Sequence, residues 1–174
     1  MKKYLVIGNP INHSLSPELH NHWIKQHGLD AIYEKKKLND KDLENLTLNV
    51  KQGNINGVNV TVPFKNAIIP YLDELSNEAK KTHSVNTIYL KDQKVIGHNT
   101  DIEGFENAIQ NIKFDFKRKK IFILGAGGVV PSIIYASIKM GSSEIMISNR
   151  TESKAEELKN IFNNIKLVNW GETP

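Results

Sequence analysis

The segment Ile121-Phe122-Ile123-Leu124-Gly125-Ala126-Gly127-Gly128 constrains the fold most. A short apolar run passes straight into a glycine-rich turn, and Val129-Val130-Pro131 then begins an apolar stretch of helical length. Pro131 suits a first helical turn, where its missing N–H has no intrahelical partner to lose. Strand, tight turn and helix in that order form half of a parallel βαβ unit. The first glycine permits the turn, and the second lets main chain approach a pyrophosphate. The new helix presents its free N–H groups to an anion. The third glycine of the G-x-G-x-x-G pattern is replaced by Val130, which predicts a looser or displaced contact between helix and strand. A strand-to-helix turn of this composition also occurs for purely structural reasons.

The rest of the chain repeats the alternation. Strands are expected at 3–7, 31–38, 58–62, 87–90, 94–96, 121–124, 144–148 and 166–168. Helices are expected at 16–27, 40–52, 65–71, 76–81, 100–112, 129–140 and 152–163. Ser16-Pro17 and Asp40 read as helix starts, and Thr100 with Glu103 reads as a capping box. A hairpin is expected around Asp92-Gln93. The pattern predicts an α/β protein: an N-terminal α/β domain with a mostly parallel sheet over 1–112, then the first part of a Rossmann-type domain over 113–174. A doubly wound nucleotide domain needs about six strands or a complete mononucleotide half. The strands at 121–124 and 144–148, with only the beginning of another at 166–168, fall short of that, so the second domain is expected to be incomplete.

Composition narrows the function classes. The 174 residues include no Cys, which excludes disulfides, thiolate nucleophiles and Cys-ligated metals. His20 and His22 are two apart on a helix and cannot chelate together, and no H-E-x-x-H occurs, so no metal is expected. The net charge of +4 is a mild excess. Lys117-Arg118-Lys119-Lys120 reads as a solvated run before a strand, and no nucleic-acid partner is expected. The apolar start at Tyr4–Ile7 stops at Gly8-Asn9-Pro10, too short for a signal peptide. Glycines and a proline break the apolar stretch 121–138, so no membrane partner is expected, and a cytoplasmic location is.

Polar residues gather at strand ends: Asn12–Pro17, Asn59–Lys65, Ser84–Thr87 and Asn99–Asp101. Asn59 and Thr61 are two apart on an expected strand, so both face away from Val58, Val60 and Val62. Uncharged donors and acceptors of this kind suit a small polyhydroxylated ligand, with Lys65 and Asp101 adding one cation and one anion. Turn chemistry alone also produces such strand ends. At the end of the strand after the glycine turn stand Asn149-Arg150-Thr151, with Lys154 nearby. An NAD site places an acidic residue there; an arginine suits a ribose 2′-phosphate, which points to NADP. Arg150 also reads as a surface cation before a helix.

Taken in order, Gly8-Asn9-Pro10, His13-Ser14-Leu15-Ser16-Pro17, Asn59-Val60-Thr61-Val62-Pro63-Phe64-Lys65, Val85-Asn86-Thr87, Asn99-Thr100-Asp101, Gly125-Ala126-Gly127-Gly128 and Asn149-Arg150-Thr151 resemble the shikimate dehydrogenase family. The resemblance implies NADPH-dependent reduction of 3-dehydroshikimate to shikimate in aromatic amino-acid biosynthesis. It implies that Ser14 and Ser16 bind the substrate carboxylate and that Asn59, Thr61, Asn86 and Asp101 hold ring hydroxyls. Lys65 is then the catalytic lysine beside Asp101. Gly125, Ala126, Gly127, Gly128 and Val129 would receive the pyrophosphate, and Asn149, Arg150, Thr151 and Lys154 the 2′-phosphate. Family members continue well past residue 174, so the isolated chain is expected to turn over little or no substrate and to be a monomer or homodimer. Two alternatives stay open: a shikimate-binding fragment without catalysis, and an enzyme acting on quinate or an aminoshikimate.

Overall fold

The computed structural model describes residues 1–174. Two compact units form, one of residues 1–80 with 85–99, the other of 81–84 with 100–174.

The first unit holds β1 (Lys2–Gly8), α1 (Ser16–Gln26), β2 (Ala31–Lys37), α2 (Leu43–Lys51), β3 (Gly57–Val60), α3 (Phe64–Ala67), β4 (Glu74–Leu75), the start of α4 (Asn77–Thr82), β5 (Thr87–Lys91) and β6 (Lys94–His98). Its six strands lie in the order β2-β1-β3-β5-β6-β4. The β1–β2, β1–β3 and β4–β6 pairs are parallel; β3–β5 and β5–β6 are antiparallel. Alternation along β1 sends Leu5 and Ile7 to one face and Val6 to the other. Leu5 and Ile7 join Leu43, Leu46 and Val50 of α2, Val58, Val60, Ile88 and Val95 in the main core. Val6 packs with Ile11 and Tyr33. Helix α1 buries no residue fully. Its Asn21 amide clamps the outer edge of β2 instead, donating to the Tyr33 carbonyl (2.8 Å) and accepting from the Tyr33 N–H (2.9 Å).

The second unit holds α5 (Asp101–Asn111), β7 (Lys120–Leu124), α6 (Val130–Lys139), β8 (Glu144–Ser148), α7 (Glu152–Ile161) and β9 (Ile165–Leu167). The sheet is parallel throughout, in the order β7-β8-β9. Its core joins Val130 and Ile134 of α6, Ile145 and Ile147 of β8, Leu158, Phe162 and Ile165. Glu144 bridges Lys120 of β7 and Lys166 of β9, a charge ladder across all three strands.

Several local expectations change. Ser16 is the first residue of α1 rather than its cap; Leu15 takes that place, and the Ser14 hydroxyl accepts the Ser16 N–H (3.3 Å). Thr100 precedes α5 with φ −94° and ψ −7°, already helical, and makes no side-chain cap bond. A capping side chain needs extended backbone to reach back. Val62 is 55% exposed, while Val58 and Val60 are buried; the ladder stops at Val60, and Val62-Pro63 turns away. Val130 packs into the core instead of loosening the helix–strand contact. Helix α5, expected at the end of the first domain, packs against α6 in the second unit, where Glu106 meets Lys139 at 2.7 Å. The hairpin at Asp92-Gln93 forms as expected, both residues at positive φ (49° and 61°) as a tight two-residue turn requires.

Candidate active site

In the first unit the polar strand ends are tied to one another through main chain. Thr61 donates its N–H to the Ile7 carbonyl (2.9 Å), and Asn9 donates to the Val62 carbonyl (3.0 Å). The loops after β1 and β3 therefore run side by side. Gly8 is needed there, because a Cβ would lie 2.7 Å from the Thr61 methyl and 3.0 Å from the Val62 carbonyl oxygen. The Lys35 ammonium grips the Asn12 carbonyl (2.7 Å) and holds the loop that carries Ser14 and Ser16.

Lys65 stands on α3, whose Phe64 (1% exposed) is sunk in the core, with Ile68 (0%) just beyond its end. The Lys65 carbonyl accepts the Val85 N–H (2.8 Å). This fixes the helix to the segment carrying Asn86. Asn86 extends the sheet between β3 and β6: its carbonyl accepts from Val60 N–H (2.8 Å) and its N–H donates to the His98 carbonyl (3.0 Å). Thr61, Lys65 and Asn86 are thus brought together by backbone bonds. Asp101 is the first residue of α5 in the second unit, partly buried and anchored by buried Ile102.

The Asn59 amide is engaged within the sheet. Its Oδ1 accepts the Tyr33 hydroxyl (2.7 Å), and its Nδ2 donates to the Asn86 carbonyl (3.4 Å) and the Thr87 hydroxyl (3.3 Å). The Thr87 hydroxyl in turn donates to Asn86 Oδ1 (2.9 Å). Tyr33 stacks on the His20 ring, centroids 4.2 Å apart. Burial pushes the Tyr33 hydroxyl up to about 12 and lowers His20 from its ordinary value. In the sequence Thr87 stands only inside Val85-Asn86-Thr87 and Tyr33 only inside an expected strand, so nothing there singles either out. Only cross-strand register, Asn59 opposite Thr87, reveals the connection.

In the second unit the glycine turn has the geometry an anion site needs. Gly125 has φ +115° and donates to the Ser148 carbonyl (2.8 Å). The amides of Gly127, Gly128 and Val129 donate to no carbonyl in the chain, and they open onto the N-terminus of the ten-residue α6. Asn149 faces this turn: its Oδ1 accepts the Ala126 N–H (3.0 Å) and its Nδ2 donates to the Thr151 carbonyl (2.6 Å). Arg150, Thr151 and Lys154 are exposed where β8 hands over to α7.

Comparison with known proteins follows the same division. A family model described as the shikimate dehydrogenase substrate binding domain matches residues 6–88, and the shikimate/quinate 5-dehydrogenase model matches 106–172. The shikimate dehydrogenase (NADP(+)) of Pelagibacter ubique is 55% identical over 172 residues, covering 99% of this chain and 65% of that protein. The chain belongs to the shikimate dehydrogenase family. A solved shikimate dehydrogenase from Aquifex aeolicus superposes with a TM-score of 0.88 at 39% identity, covering 97% of this chain and 63% of that one. A Thermus thermophilus shikimate 5-dehydrogenase solved in complex with NADP(H) and shikimate gives 0.83 at 32% identity, covering 97% and 63%. The chain thus spans less than two thirds of the length of these family members. As in them, an N-terminal mixed α/β part is followed by a Rossmann-like part, of which this chain holds three strands.

Proposed function

We propose that the chain supplies the substrate-binding and adenosine-phosphate-binding parts of an NADP-dependent shikimate dehydrogenase, which reversibly reduces 3-dehydroshikimate to shikimate in the cytoplasm for aromatic amino-acid biosynthesis. The observation that carries this is the likeness over nearly the whole chain to the Pelagibacter ubique protein named for that activity. The donor set also fits the cofactor: three amides at a helix N-terminus for a pyrophosphate, and Arg150 with Lys154 for a 2′-phosphate.

In this reading the Ser14 and Ser16 hydroxyls bind the substrate carboxylate, and Thr61 and Asn86 hold ring hydroxyls; Asn59, to which the resemblance gives the same role, has its amide on the Tyr33 hydroxyl, the Thr87 hydroxyl and the Asn86 carbonyl. The bound nicotinamide supplies the hydride to the ketone carbon. Negative charge then develops on the ketone oxygen, and the Lys65 ammonium stabilises it and releases a proton to it from Nζ. The family resemblance gives Asp101 a substrate hydroxyl from which to accept a hydrogen bond. Gly125 through Val129 receive the pyrophosphate, while Asn149 holds the turn and Thr151 adds a hydroxyl beside Arg150.

Titration calorimetry tests both halves. NADP+ is expected to bind at least about tenfold tighter than NAD+, a difference of about 1.4 kcal/mol, and Arg150→Ala is expected to abolish the preference. Shikimate is expected to bind the unaltered chain, and Lys65→Ala to weaken it. Equal affinity for the two cofactors, or shikimate binding indifferent to Lys65, contradicts the proposal.

A further inference from the structure

Asn86 meets a substrate with one of two ends, a carbonyl acceptor or an NH2 donor, and rotation by a half-turn exchanges them. The hydrogen bonds behind it fix which end comes forward. We infer that Tyr33, Asn59 and Thr87 are positioning residues forming a directional relay that holds Asn86 with its amide NH2 toward the ligand. This rests on the reading of Asn86 as a shikimate-binding residue.

The polarity of the relay has one fixed reference, the main-chain carbonyl of Asn86, which can only accept. Asn59 lies 3.4 Å from it through Nδ2. Turning the Asn59 amide over would set two acceptors against each other and leave the Tyr33 hydroxyl facing an NH2 group. Asn59 Oδ1 therefore stays on the Tyr33 hydroxyl at 2.7 Å. Asn59 Nδ2 also donates to Thr87 Oγ1 at 3.3 Å. The Thr87 hydroxyl thus accepts on one side and spends its single proton on Asn86 Oδ1 at 2.9 Å. Thr87 keeps a second lone pair, so the 2.9 Å bond to Asn86 Oδ1 settles the last step: Oδ1 is turned back toward Thr87 and Nδ2 lies on the other branch of the amide. Upstream, the Asn21 amide grips both main-chain groups of Tyr33, so the relay starts from a fixed point on the edge strand.

The consequence is selectivity. A donor at this position welcomes a hydroxyl or ketone oxygen and opposes a protonated amine, which has no lone pair to offer. An aminoshikimate carrying its ammonium there is disfavoured relative to shikimate.

The test uses the 174-residue chain with five variants and two readouts. The first readout is the pair of Asn86 side-chain NH2 resonances in the ligand-free protein. They are expected to move in Tyr33→Phe and Thr87→Val, and to return in Thr87→Ser, which restores the hydroxyl. The second is shikimate affinity by calorimetry, expected to fall about tenfold in Thr87→Val and to stay within about twofold in Thr87→Ser. Combined with Asn86→Ala, Thr87→Val is expected to add almost nothing, as a residue acting through Asn86 must. Asn86 resonances unmoved by Tyr33→Phe, a serine variant behaving like the valine one, or additive losses in the double variant overturn the relay. If the unaltered chain gives no heat with shikimate, the functional proposal fails instead, and the resonances still decide the relay.

Discussion

Tyr33 sits at a meeting point: its ring stacks on His20, its main chain is gripped by Asn21, and its hydroxyl reaches Asn59. Burial holds its proton up to about 12, while an unfolded tyrosine ionises near 10. Between those values the unfolded chain has lost a proton that the native state keeps, so stability falls as pH rises through that window. Urea midpoints in this range are expected to fall more steeply for the native sequence than for Tyr33→Phe. His20 has the opposite sign. Its lowered pKa means that stability is present above about 6.5, its unfolded value, and is lost as pH falls below it. Gly8 is the second sensitive residue. Gly8→Ala drives a methyl into Thr61 and the Val62 carbonyl, and a loss of about 1–3 kcal/mol is expected in denaturant unfolding. The sequence shows Gly8 only as a strand end. The approach of Thr61 that makes it necessary comes from a parallel pairing between segments fifty residues apart.

At the scale of elements, α3 shows what pattern can and cannot disclose. A single helix is expected over 65–71, yet α3 ends at Ala67 and a separate 3-10 turn covers Ile69–Tyr71. Pro70 lacks the N–H that a continuing α-helix would use. What fixes Lys65 is Phe64 beside it, and Phe64→Ala is expected to cost about 3–5 kcal/mol and to weaken shikimate binding along with stability. The two-residue β4 is too short for any periodicity to register, and it pairs with β6 only because tertiary structure brings it there. In the second unit the glycine turn is legible from order alone, strand then glycines then helix. The inward turn of Asn149 is not, since an exposed polar residue at a strand end reads equally well as a ligand. Asn149→Ala removes the acceptor for Ala126 N–H and is expected to weaken NADP+ binding without changing the fold, as read by calorimetry beside circular dichroism.

For the molecule as a whole, α/β alternation and the ordered motifs carry most of the architecture. Strand order, the antiparallel β3–β5 pairing and the placing of α5 in the second unit depend on long-range packing that no window of sequence contains. Net charge is modest, and within the basic run Lys120 pairs with Glu144. Fluorescence anisotropy with a short DNA duplex is therefore expected to show weak binding that disappears by about 200 mM salt. We propose above that the polar strand ends of the first unit bind shikimate. Backbone and side-chain resonances followed through a shikimate titration test it most directly. Shifts concentrated at Ser14, Ser16, Thr61, Lys65 and Asn86 are the predicted result. Shifts absent from these residues, whether confined to the cavity of about 680 Å³ that Tyr4, Ile24, Leu29, Tyr33 and Asn59 line or missing altogether, would contradict it.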